Sequence, residues 1–162
     1  RFVVIFVGRV DDAKNVMTLV EAMRQRLAAG SPVHLLIAGT GERAADIRRI
    51  LGDAVTSCGQ VEPDILGWLY ASADAFAFPS ELGILPNVVT EARACGLPAL
   101  VAASSGAAQL IGRPGIDARR LTSGRREGTV RGARSRPRAE RRSAMRVHES
   151  ITETRRSSSV RG

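Results

Sequence analysis

Five short, mostly apolar runs, five or six residues each, recur along the first hundred residues: Phe2–Val7, Val33–Ala38, Ala54–Cys58, Asp74–Phe78 and Pro98–Ala102. The first four are stopped by Gly8, Gly39, Gly59 and Pro79. A continuous apolar run of this length marks a strand buried on both faces, as in a parallel sheet. The intervening stretches carry the other period. Asn15–Ala29 places Val16, Leu19, Val20, Met23 and Leu27 three and four apart, and Gly30 closes it, the pattern of an amphipathic helix. Glu42–Leu51 reads as a second helix. Asp64–Ser72 is a third, with Ile65, Leu66, Leu69 and Tyr70 on one side. Pro86–Cys95 is a fourth, with proline in its first turn and Gly96 just past its end. Strands alternating with helices through short connections specify right-handed βαβ units, hence an α/β fold with a doubly wound parallel sheet. In such sheets ligands bind beyond the carboxyl ends of the strands. The polar and glycine-rich segments GRVDDAK, GTGE, GQVEP, PSELGILP and ASSGAAQ fall at those ends.

The pattern stops after about Ile116. The chain has 162 residues and a formal net charge of +8, which taken whole suggests a polyanion partner. The charge is unevenly placed. Residues 1–118 hold ten basic groups against twelve acidic ones, a net −2; residues 119–162 hold fourteen Arg and four Glu, a net +10. The arginine-rich end has almost no apolar periodicity, and disorder is expected over 119–162. It lacks interleaved aromatics and a helical basic stripe, so specific nucleic-acid readout is not expected. No run approaches the ~18 apolar residues of a spanning helix, and the opening run is too short and wrongly flanked for a secretory signal. Two cysteines, Cys58 and Cys95, are too few for a disulfide framework, consistent with a reducing, cytoplasmic setting. The Arg start at the mouth of a strand reads as a piece of a longer protein.

Arg9 and Lys14 bracket the first strand-to-helix loop. A planar fork beside a point charge suits a diphosphate; two solvated loop cations are the alternative. Asn87 starts a helix after a glycine-containing loop, where free N–H groups favour anions. Glu91 lies just over one turn further on. It suits either the vicinal hydroxyls of a ribose or an ordinary surface position. Gly39-Thr40-Gly41 is similar to a dinucleotide loop without its third glycine, and a tight turn explains it equally. His34, inside an apolar strand, reads as a structural histidine. Trp68 and Tyr70 read as core or helix-packing residues. No spacing of Cys and His supports a metal site.

Together these segments resemble the C-terminal, donor-binding domain of retaining glycosyltransferases of the GT-B fold, the group that includes sucrose and glycogen synthases. The matching stretches are Phe6–Val10 through Lys14-Asn15, His34–Gly41, Leu69–Asp74 into Phe78-Pro79-Ser80, and Asn87–Ala92 through Ala94–Pro98. They stand in the family's order over roughly residues 2–117. The resemblance implies a nucleotide-diphosphate sugar as donor substrate, with no metal or other cofactor. Arg9 and Lys14 would hold the diphosphate and stabilise the leaving nucleotide. Gly8 and Gly39 would line the site, Pro86 and Asn87 would open the phosphate-binding helix, and Glu91 would bind the ribose. The Gly59–Glu62 loop would lie near the base. The family's first acidic residue, eight positions before the second, is here Gly83; Glu81 is acidic but ten positions ahead. The Phe-Gly that follows is Leu85-Pro86, and the Gly-Gly-x-Pro-Glu stretch is Gly106-Ala107-Ala108-Gln109. These departures favour donor binding over turnover. The resemblance implies a partner domain for the acceptor, N-terminal and outside this chain, so this piece alone is expected to be inactive. It is also compatible with peripheral membrane association of a full-length protein. The arginine-rich end replaces the family's closing helices and looks like translation in a shifted frame of GC-rich DNA. The competing expectation is a non-catalytic Rossmann-like module whose basic tail binds nucleic acid or anionic surfaces nonspecifically; a sugar epimerase of like fold accommodates Glu91 less well.

Overall fold

The computed structural model describes residues 1–81 and 87–102, and the backbone of 118–121. The elements follow the periodicity closely. They are β1 (Phe2–Val7), a 3-10 turn (Asp12–Lys14), α1 (Val16–Ala28), β2 (Val33–Ala38), α2 (Ala44–Leu51), a second 3-10 turn (Gly52–Ala54) and β3 (Val55–Gly59). There follow α3 (Pro63–Ser72), β4 (Ala75–Phe78), α4 (Asn87–Ala94), β5 (Ala99–Ala102) and β6 (Ala118–Leu121). The strands form one sheet in the order β3-β2-β1-β4-β5-β6, and every pairing is parallel. Chain order reverses between β1 and β4, so the topological switch point lies at their carboxyl ends.

The unbroken apolar character of β1 follows from its place in the middle. Val3, Ile5 and Val7 face a core built with Leu69 and Tyr70 of α3 and Val89 and Ala92 of α4. Val4 and Phe6 face the opposite core, built with Val16, Leu19, Val20 and Met23 of α1 and Ile47 and Leu51 of α2. Alternate side chains of a strand serve opposite faces, so a strand covered on both must be apolar throughout.

One expectation is corrected. Trp68 does not pack in the core: it is 59% exposed. The buried side of α3 runs through Ile65, Leu66, Leu69 and Tyr70, and at 3.6 residues per turn position 68 falls on the far side. The strand β6 spans the 118/119 boundary expected from the sequence, residues 118–121 pairing with Ala99–Ala102. Apolar periodicity gives no warning of this strand, because an edge strand can be held by backbone pairing alone. The rest of the arginine-rich end, 122–162, lies outside the described residues.

Candidate functional site

The loop after β1 is rigidly built. Asp11 caps the 3-10 turn, its Oδ1 accepting from the Lys14 N–H at 3.0 Å. Asn15 then takes a left-handed conformation, φ 52° and ψ 31°, which asparagine tolerates better than most side chains. From there its Nδ2 donates to the Pro79 carbonyl at 3.4 Å. The buried Ser80 hydroxyl donates to the Ala13 carbonyl, also at 3.4 Å. The β1 and β4 loops are therefore tied together across the switch point.

Lys14 places its Nζ 5.7 Å from the centre of the Phe78 ring, at the carboxyl end of β4. That aromatic row continues. Phe78 stacks on Phe76 with centroids 6.3 Å apart, and Phe76 meets Tyr70 edge-on at 6.0 Å. The Tyr70 hydroxyl donates toward Glu91 Oε2 at 3.2 Å and the Val88 carbonyl at 3.3 Å. Lys14 and Glu91, 77 positions apart in sequence, thus sit at the two ends of one aromatic row on the same face of β4. Tyr70 is 2% exposed. Burial, and secondarily the Glu91 charge, push its phenol well above the ordinary tyrosine range. The hydroxyl therefore stays protonated and donating.

Arg9 is exposed and reaches back to Asp11, Nε to Oδ2 3.2 Å. Gly8 and Gly39, expected to line the site, meet each other through their backbones. Gly8 has φ +145° and Gly39 φ +143°, and a Cβ on Gly39 would lie 2.9 Å from the Gly8 carbonyl carbon. Gly39 also donates its N–H to the Gly59 carbonyl at 2.7 Å. Next to it, Gly41 packs on the Val10 backbone. The Gly39–Gly41 turn is thus a close backbone contact between neighbouring loops, sealed by Val10 N–H to Thr40 and Arg43 N–H to the Val10 carbonyl at 2.9 and 3.0 Å. Outside this contact, Asp12 and Arg43 form a two-pronged ion pair that binds the same two loops at the surface.

Asn87 opens α4 and is exposed. Pro86, Gly83 and Leu85 lie outside the described residues, whereas Glu81 is exposed at their border. His34 is structural: its Nε2 lies 2.8 Å from Thr56 Oγ1 on β3. Among the described residues no three His, Cys, Asp or Glu side chains cluster as a metal site requires, and no helix is long and apolar enough to cross a membrane. Sequence reasoning missed that Tyr70, a core residue, also reaches the Glu91 carboxylate. A tyrosine on the buried face of α3, where phenylalanine would pack as well, was the available signal.

A doubly wound parallel sheet with a cationic loop at its switch point fits the Rossmann-like half of a GT-B fold, and comparison with known proteins identifies it as such. The chain belongs to the family described as "Glycosyl transferases group 1", whose profile matches residues 1–125. It is 34% identical over 118 residues to a GDP-mannose-dependent monoacylated alpha-(1-6)-phosphatidylinositol monomannoside mannosyltransferase of Corynebacterium glutamicum. That match covers 64% of this chain and 30% of the relative, so the chain spans less than a third of that protein's length. Among solved structures, the pneumococcal O-GlcNAc transferase GtfA in complex with UDP and GlcNAc superposes with a TM-score of 0.67 at 18% identity, over 95% of this chain and 29% of that one. Anabaena HepE in complex with UDP-glucose gives 0.65 at 24% identity, over 96% and 40%. These structural likenesses establish the fold.

Proposed function

We propose that this chain is the donor-binding half of a retaining, metal-independent, cytoplasmic glycosyltransferase that uses a nucleotide-diphosphate sugar. Acceptor contacts come from residues outside the 1–118 domain, and the chain alone does not turn over. The observation that carries this reading is the joint placement of Lys14 and Glu91 at the ends of the Phe78–Phe76–Tyr70 row, beside the switch point. A cation at one end of the row suits a diphosphate, and a carboxylate at the other suits ribose hydroxyls. Lys14 and Arg9 take the diphosphate and stabilise the charge that develops on the leaving nucleotide, work that other enzymes assign to a metal. Glu91 accepts from the ribose diol, the Asn87 end of α4 offers backbone N–H groups to the phosphates, and the Gly59–Glu62 loop lies beside the base. Family membership and the UDP-bound relatives support the same donor class.

Calorimetry with UDP, GDP and ADP tests the proposal. One of them should bind, and Arg9→Ala and Lys14→Ala should each weaken it by ~1–3 kcal/mol, the range for a hydrogen bond to a charged group. Absence of heat with all three on folded protein refutes the donor site.

A further inference from the structure

We infer that Tyr70 is a positioning residue for Glu91: its buried hydroxyl holds one carboxylate oxygen and leaves the other for the ribose diol. The inference rests on the donor-site reading above. Glu91 is itself exposed on α4, and a free glutamate there would wander among many rotamers, all but a few useless for a two-point contact with vicinal hydroxyls. Tyr70 belongs to a different element, α3, and its ring is locked by burial and by the edge of Phe76. The hydroxyl is therefore a fixed point. A buried hydroxyl needs one acceptor, and the Val88 carbonyl at 3.3 Å already offers one. Glu91 Oε2, at 3.2 Å, is a second acceptor for the same proton, one that packing does not demand. It falls on the side chain that the donor site uses. Val88 and Glu91 are three apart on α4, so the same hydroxyl also sets the rotation of the helix that carries the carboxylate.

The test is Tyr70→Phe, which keeps the ring and removes the hydroxyl. Binding is measured for the tightest of UDP, GDP and ADP and for its 2′,3′-dideoxy counterpart. The unaltered chain should prefer the ribose form about tenfold or more, and Tyr70→Phe should erode that preference about threefold to fivefold, as loss of one ordinary hydrogen bond would. Affinity for the dideoxy form should not change. If both forms weaken alike, or the preference survives intact, Tyr70 merely packs and the inference is overturned while the donor site stands. If the unaltered chain binds nothing, the donor site and the inference fall together. A second measurement covers a variant that fails to fold. Tyr70 is the only tyrosine in the chain, so ¹³C-tyrosine labelling gives one ring signal set. Those signals should move with the ribose nucleotide and stay still with the dideoxy form; equal or absent movement overturns the inference.

Discussion

Three glycine-to-alanine changes separate the two reasons a backbone position demands glycine. Gly30 has φ +75° with nothing within 4 Å of an added Cβ, so Gly30→Ala meets only left-handed strain, about 1 kcal/mol. Gly41 has no such φ, but its Cβ would lie 2.6 Å from the Val10 carbonyl carbon and 2.8 Å from the Val10 nitrogen. An ordinary contact is about 3.5 Å or more, so the loops must part by close to an ångström. Val10 is fully buried, and its N–H to Thr40 and its carbonyl to Arg43 are the bonds that would stretch. Two backbone hydrogen bonds left poorly made, with the displacement of the buried Val10, cost about 2–4 kcal/mol together. Gly39 combines the clash with φ +143° and should be worst, adding ~1–3 kcal/mol of strain. Urea unfolding followed by far-UV circular dichroism reads the series; Trp68, already 59% exposed, is a poor reporter. Stability should fall in the order Gly30→Ala, Gly41→Ala, Gly39→Ala. A Gly41→Ala protein within about 1 kcal/mol of Gly30→Ala would refute the claim that the two loops are in rigid contact.

Two further outcomes follow from the charges. Asp11→Asn keeps the oxygen that caps the turn, since Asn and Asp cap about equally, but it releases Arg9 from its ion pair and removes a negative charge beside the diphosphate; calorimetry should show nucleoside diphosphate binding tighten about twofold to fivefold, because an exposed pair is worth only ~0–1 kcal/mol. Tyr70 is held protonated by burial above its ordinary value near 10, so its contribution is fully present below that value and declines as pH rises past it; the alkaline loss of stability in urea titrations should therefore be shallower in Tyr70→Phe, and an unchanged slope would count against the buried hydroxyl.

The sheet was legible because its determinants are local. Buried central strands must be apolar on both faces, and β1, β2 and β4 announce themselves for that reason. The alternation pointed to the carboxyl ends of the strands as the ligand side, whereas the strand order that puts the switch point between β1 and β4 appears only in the fold. Three things were illegible for physical reasons. β6 is held by backbone pairing, which leaves no side-chain signature. The outward turn of Trp68 depends on which arc of α3 meets the sheet, and one large aromatic does not fix that arc. The Tyr70–Glu91 hydrogen bond depends on α3 and α4 lying side by side, a contact between residues 21 apart. Arg9, Lys14 and Glu91 could be picked out by type and position, but their relation to one another runs through the aromatic row and exists only in the fold.

That row bears on how so acidic a domain would hold a diphosphate. The net charge of +8 comes from the arginine-rich end, whereas residues 1–118 carry −2, so no broad positive field of the domain draws an anion in. Attraction must be local, and the loops arrange it by occupying nearby acids. Asp12 is engaged by Arg43, which holds its carboxyl below the usual range. Asp11 is committed to the Lys14 N–H through one oxygen and to Arg9 through the other. Lys14 has an aromatic face beneath it and, among the described residues, no ion pair with a carboxylate. Over a ring face an ammonium still has N–H groups to donate elsewhere, whereas a salt bridge would have to be exchanged for the ligand. On the donor-site proposal, Lys14 would thus be the ready cation and Arg9 the one that must be released. Lys14→Ala should accordingly cost more affinity than Arg9→Ala, and the gap should narrow when both are measured in the Asp11→Asn background. An Arg9→Ala effect as large as that of Lys14→Ala in the unaltered chain would show that Asp11 does not hold Arg9 in reserve.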